Sequence, residues 1–354
     1  MYLSEDKLHH VPPFLQRAAT IPLHEGMYAE ACQRGFSLSQ YLESLDPTPV
    51  DCELDAFERQ LALAGIRVSG EDADVIDRFF ASQEHSVLFP EFVSRSVQTG
   101  FDDFNKLRSI LASRVKIDDN TYKSIYMDES VMTAAEKSLA VVNEGAALPV
   151  IEIKTAEHAV QISKYGRYLQ ATYEAIRRKR TSVVALFLRA IGVQIQRDKF
   201  ADAIDVLIYG DGNNNPAPSM NTATSGTLTY ADLVKFALSF DPYDLNVMLC
   251  DEDTAAVLLN IAEVKDPAVS ASFQIKGENI RLFGAELIID DSIPGNAIIG
   301  LDRRFAIQEI YETGVLTESE RLIRRQIEGT AISEIAGFAK VITAASKILN
   351  LVWN

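Results

Sequence analysis

"RRKR", Arg177 to Arg180, is the densest cluster of charge in the chain. Four adjacent cations can hold phosphates or meet carboxylates on another protein surface. The chain carries 50 Asp and Glu residues against 34 Lys and Arg, a net charge of −16. That balance argues against tight binding of nucleic acid. A solvated face and a contact with acidic loops of an adjacent subunit remain as the two readings of the cluster.

"YGDGNNNP", Tyr209 to Pro216, could be a calcium loop. With Asp211 as first ligand, Asn213 and Asn215 fall at the third and fifth positions. The twelfth position is Thr222 instead of a bidentate glutamate, and the central glycine is missing. Gly210 and Gly212 are better placed to end a helix in left-handed geometry, with asparagines tolerating the turn.

Other chemistry finds no support. No phosphate-binding glycine loop and no G-x-S-x-G elbow occurs. His9, His10, His24, His85 and His158 lack the i,i+4 spacing of a helical zinc site. The neighbours Asp290 and Asp291, and Asp251 with Asp253, read as solvated loop charges. Cys32, Cys52 and Cys250 make neither a disulfide framework nor a metal cluster, and Cys250 reads as a buried strand residue. No metal and no cofactor is expected, and the chain reads as no enzyme. No run of eighteen apolar residues could span a membrane, and the polar start does not look like a signal peptide, so a cytoplasmic site of synthesis is expected.

The elements that would position these residues form an α+β pattern. Leu54, Phe57, Leu61 and Ala64 mark a helix stopped by Gly65. Ser86 to Gly100 reads as an arm or short helix around Pro90. The stretch from Phe101 passes from a helix-like segment into strand-capable chain. Ala140 to Ile162 reads as an extended two-stranded excursion bent at Glu144, Gly145 and Pro149. Glu174 to Tyr209 predicts one helix, about 50 Å long at 1.5 Å per residue. Its stripe holds Phe187, Ile191, Ile195, Phe200, Ile204 and Ile208; Arg189, Gln196, Arg197, Lys199 and Asp202 are assigned to the other face. So long a helix predicts a strut against which a sheet packs. Tyr230 to Gly300 reads as an α/β unit with Thr229 as N-cap, "NVMLC" as a buried strand and "EDTAAVLLNIAE" as a helix. The last segment alternates and ends in a helix-like "TAASKILNL".

In this order the segments "VVNEGAALPVIEI", "VQISKYGRYLQATYEAI" and "DVLIYGDG" resemble the major capsid proteins of tailed bacteriophages and prophages, with the HK97-like fold. "LTYADLV", "NVML", "LFGAELIIDDSIPGNAIIGLDRRFAI" and "GFAKVITAASKIL" continue the likeness, which spans roughly Leu88 to Leu351. The resemblance implies a peripheral domain, an axial domain, an extended loop and an N-terminal arm. It divides the chain into an N-terminal helical region (1–85), the arm and start of the peripheral domain (86–114), the extended loop (115–153), and the peripheral domain (154–229) with its spine helix (174–209). The axial domain (230–299), peripheral return strands (300–340) and an axial closing segment (341–354) follow.

The implied function is a structural shell of hexamers and pentamers enclosing double-stranded DNA, which is contacted weakly and without sequence preference. The implied location is the virion, assembled in the host bacterial cytoplasm. Scaffolding, portal and decoration proteins are the implied further partners. The candidate inter-subunit residues are Arg177, Arg178, Lys179, Arg180, Glu144, Lys123, Lys137 and Lys154. One branch of the family joins subunits through lysine–asparagine bonds; no marked asparagine partner is present here, so no crosslink is expected. An encapsulin-like nanocompartment shell is the alternative, and an acidic cytoplasmic enzyme the more distant one.

Overall fold

The computed structural model describes residues 21–24, 26–117, 121–126, 154–172, 177–266, 280–322 and 327–353. The chain divides into two units. The first comprises Met1–Phe104, Tyr165–Gln196 and Val315–Glu334; the second comprises Asn105–Lys164, Arg197–Gly314 and Ile335–Asn354.

Local signals build the first unit's short helices α1 (Met27–Gln33), α2 (Leu38–Leu45) and α3 (Ala56–Leu63). Ser37 and Gln40 form a reciprocal capping box on α2, and Asp55 and Glu58 form one on α3. Each such cap is worth about 1 kcal/mol. After α3, Gly65 takes a φ of 65° while the Ile66 amide donates back to the Leu61 carbonyl at 2.9 Å. The stop expected at Gly65 is therefore a left-handed helix end. A 3-10 turn (Ile76–Phe80) and α4 (Gln83–Ser86) lead into α5 (Leu88–Asp103).

The segment read as an arm or short helix is thus a helix of 16 residues. Pro90 lies in its first turn, where the missing N–H has no partner to lose. Leu88, Phe89, Phe92, Val93 and Val97 form its buried face. Phe79 packs between two of these rings, 5.6 Å from Phe89 and 5.3 Å from Phe92. Burial of each large side chain contributes about 1.5–3 kcal/mol, which outweighs the weak local signal for this helix.

Next come α6 (Lys106–Ile110) and β1 (Leu111–Lys116), the helix-then-strand passage the sequence indicates. β2 (Ile125–Tyr126) and β3 (Lys154–Thr155) pair antiparallel, with Ile125 opposite Thr155. Residues 127–153, with Lys137, Glu144 and most of the excursion expected over Ala140–Ile162, lie outside the described residues. β4 (Ile162–Thr172) precedes α7 (Thr181–Tyr209), a helix of 29 residues that belongs to the first unit up to Gln196 and to the second beyond it.

The helix expected from Glu174 starts at Thr181. Residues 173–176 lie outside the described residues, and Arg180 forms an antiparallel bridge with Val75, so the backbone there is extended. Ala185, Leu188 and Ile195 are buried in the first unit; Phe200, Ala203, Ile204 and Leu207 are buried in the second.

The second unit is organised by a six-stranded sheet. Its strands are β5 (Ser219–Asn221), β6 (Val247–Cys250), β7 (Arg281–Leu282), β8 (Ala285–Ile289), β9 (Ala297–Leu301) and β12 (Ser346–Asn350), in the order β5-β12-β9-β6-β8-β7. β6 is parallel to β8 and antiparallel to β9, and all its residues are buried. A strand covered on both faces reads as an unbroken apolar run, as "VMLC" does. Helices α8 (Tyr230–Leu238), α9 (Glu252–Leu259) and α10 (Ala262–Lys265) share its core through Leu233, Phe236, Leu258 and Val264. Thr229 caps α8 reciprocally with Asp232, and Asp251 caps α9.

The closing segment differs from the helix-like reading. Only Thr343–Ala345 turns as a 3-10 helix; Ser346–Asn350 is β12, parallel to β5 and antiparallel to β9. Pairing on both edges decides its state over the helical preference of its alanines. Strands β10 (Ile307–Leu322) and β11 (Ile327–Lys340) complete a four-stranded sheet in the order β1-β10-β11-β4, with β1 and β10 parallel. Among the described residues no helix is long and apolar enough to cross a membrane.

Candidate functional site

The basic run is partly built into the first unit. Arg177 is half-buried, 3.6 Å from Asp77, with its guanidinium over the Phe80 ring at 5.2 Å. The Lys179 carbonyl accepts from the Ile76 amide at 2.9 Å, and the Thr181 amide donates to Asp74 at 2.8 Å. Arg180 donates to the Glu71 carbonyl. Backbone pairing therefore spends this segment's main chain and two of its four cations within the unit, while the side chains of Arg178 and Lys179 are exposed.

Immediately afterwards α7 presents apolar groups outward. Leu186 is 63% exposed and Phe187 67%, with Val183 and Ala190 exposed on the same side. Phe187 was expected in the buried stripe. Both flanks of this half of the helix are apolar, and Ala185 and Leu188 are the side that the core takes. Beside Leu186 lies a shallow cavity of about 160 Å³, lined also by Val68, Ser69, Gly70, Ser182, Ala185 and Arg189. Arg189 is held by the Asp103 carboxylate, and its guanidinium keeps that carboxyl below the usual range.

In the second half of α7 the polar assignment also changes. Gln196 and Lys199 are buried, whereas Arg197 and Asp202 are exposed. Lys199 Nζ lies 2.5 Å from Glu309 Oε1, and Arg114 reaches the same carboxylate at 3.1 Å while stacking over the Tyr311 ring. A usable signal was present: Lys199 sits four residues after Ile195 and four before Ala203, inside the buried stripe.

The end of α7 is not shaped as a calcium loop. Gly210 and Gly212 both have φ of 91°, the left-handed geometry expected of an ending. One Asp211 oxygen accepts from the Asn213 amide at 3.3 Å, and the other accepts from the Lys340 amide at 3.0 Å. Lys340 Nζ in turn donates to the Leu207 carbonyl at 3.0 Å, closing the helix against β11. Among the described residues no group of three or more His, Cys, Asp or Glu could hold a metal.

Of the paired acids, Asp253 and Asp291 are exposed, whereas Asp251 and Asp290 have structural roles. Asp251 accepts from the Thr254 amide as a helix cap. Asp290 is 2.6 Å from Lys106; burial raises its pKa, but bonds from Lys106 and Ser292 outweigh that and hold it low. Asp302, which sequence reasoning did not single out, is buried under Arg304, Asn246 and the Asp244 amide. Burial pushes its pKa up, and those donors more than reverse this, to about 2. Cys250 is buried, which pushes its thiol up to about 12 and leaves no reactive thiolate at neutral pH. Lys123 is exposed at the foot of the excursion, and Lys154 lies in β3.

Residues 155–346 match the family model described as phage capsid protein. No curated protein matches the chain. Among solved structures it is similar to the capsid of an empty GTA particle, at 15% identity and a TM-score of 0.53, covering 71% of this chain and 90% of that one. The capsid of a native GTA particle aligns at 14% identity and a TM-score of 0.51, covering 72% and 91%. A virus-like particle from Pyrococcus furiosus gives 13%, 0.49, 73% and 98%. At these identities the first two likenesses show the fold.

Proposed function

The chain belongs to the phage capsid protein family, and from that premise we propose that it builds a closed virion shell by self-assembly into hexamers and pentamers. It is a structural, capsid-forming protein with an α+β fold related to the HK97-like subunits, and its place is the virion capsid. Family membership supports a structural role rather than a catalytic one.

The observation that carries this reading is the span of the family match, which contains α7 and most of the six-stranded sheet. Under the proposal the peripheral domain is built on α7 and the long strands β10 and β11, and the axial domain on the six-stranded sheet with α8 and α9. Residues 115–153 form the extended loop, and Lys123, Lys137, Glu144 and the adjacent Lys154 meet a neighbour. The basic residues Arg177 to Arg180 are further inter-subunit candidates. Scaffolding, portal and decoration proteins, and weakly held double-stranded DNA, are the proposed further partners. The charge of −16 supports a lining that holds phosphates loosely.

Negative-stain microscopy of the purified protein tests the proposal. Uniform closed shells tens of nanometres across are expected. A monodisperse monomer or dimer at every concentration would overturn it.

A further inference from the structure

We infer that the outward face of α7 between Val183 and Ala190, with the exposed Arg178 and Lys179 just ahead of the helix in sequence, is a docking surface for a second copy of this chain. The inference deepens the capsid reading and rests on it.

Val183, Leu186, Phe187 and Ala190 recur at i, i+3, i+4 and i+7, so they form one stripe along the helix. All four are exposed, and the two largest are about two-thirds exposed. Scattered apolar residues on a surface need no explanation, but a continuous stripe marks an interaction site. The opposite side of the same turns is already committed, since Ala185 and Leu188 lie in the first unit's core. The cavity between Leu186 and Val68–Gly70 adds a recess beside the stripe able to take a side chain from outside.

Charge selects the occupant. Arg178 and Lys179 stand exposed five and four residues before Val183, in a chain whose Asp and Glu outnumber Lys and Arg by 50 to 34. A second copy is therefore the partner most abundant in matching carboxylates when shells grow. Apolar contact would supply the attraction, and the two cations would set the register against an acidic rim. Repeated over a closed shell, one modest contact of this kind is multiplied many times.

The test uses the full chain and a photoreactive benzoylphenylalanine in place of Phe187. Irradiated shells should yield a covalent chain–chain dimer. In parallel, Leu186→Ser with Phe187→Ser, and separately Arg178→Glu with Lys179→Glu, should each raise the protein concentration needed for shell formation at least tenfold. Both variants should keep the wild-type circular dichroism, because the altered side chains are exposed. A probe that links only within its own chain or to a different protein overturns the inference, as do Ser variants that assemble at the wild-type threshold. A wild-type chain that assembles under no condition instead overturns the capsid reading beneath it.

Discussion

Gly100 of α5 and Gly192 of α7 meet where the two helices cross, and neither position has room for a β-carbon. A Cβ on Gly100 would lie 2.0 Å from the Arg189 carbonyl oxygen, and one on Gly192 would lie 2.2 Å from the Val97 carbonyl oxygen. The obstructing atoms are backbone, so no rotamer change relieves them. Arg189 and Asp103 bind across the same crossing. Gly192→Ala should therefore force the helices apart despite the better helix propensity of alanine. The expected loss is about 2–3 kcal/mol, the upper part of the overpacking range. Urea unfolding of the dissociated subunit measures it; an unchanged midpoint would mean that the crossing yields easily.

Lys199 and Glu309 make a second such commitment inside the other unit. Both are almost fully buried and 2.5 Å apart. Removing one partner leaves a charge in an apolar surround, which costs about 3–5 kcal/mol. Glu309 keeps Arg114, so Lys199→Met should fall at the lower end of that range. Glu309→Leu takes the carboxylate from both Lys199 and Arg114 and should cost more. The double variant should recover much of the loss, because well-packed apolar residues replace a buried pair at little cost. A double-mutant cycle read by chemical denaturation decides this; strictly additive losses would show that the two charges act independently.

What could be read from the sequence follows the distance over which each feature is decided. Thr229 and Asp232 lie three residues apart and cap α8 as their types indicate, and Gly65 and Gly210 end helices by their own conformational freedom. Ser346–Asn350 was misread because its partners, Ser219–Asn221 and Ala297–Leu301, are remote in sequence. Lys199 was placed on the wet side because its counter-ion is 110 positions away. Phe187 was placed in the core because periodicity shows that a stripe exists, not which of two apolar flanks the core will take. The basic run had a local look and a non-local use: Arg180 pairs with Val75 and Glu71, which only the folded first unit brings beside it. The family order of motifs was legible despite these errors, since it depends on the succession of elements rather than on any one side chain.

Lys340 gives the chain a pH dependence of definite sign. The residue is 1% exposed, and burial pushes its pKa down from 10.5 to about 8, against the attraction of Asp211. The unfolded chain keeps the ordinary value, so between about 8 and 10.5 the unfolded state binds more protons and stability rises with pH. Below that window the folded state carries the full cost of a buried cation, roughly 3 kcal/mol in total. Lys340→Met should flatten the rise, because nothing at that position then titrates. At pH 7 the gain from removing the charge is opposed by the lost bond to the Leu207 carbonyl, so the slope is more informative than the absolute stability. Urea midpoints of both proteins at intervals from pH 7 to above pH 10 supply it. Parallel curves for wild type and variant would show that Lys340 titrates alike in the folded and unfolded chain, and that the closure of α7 against β11 does not depend on its charge.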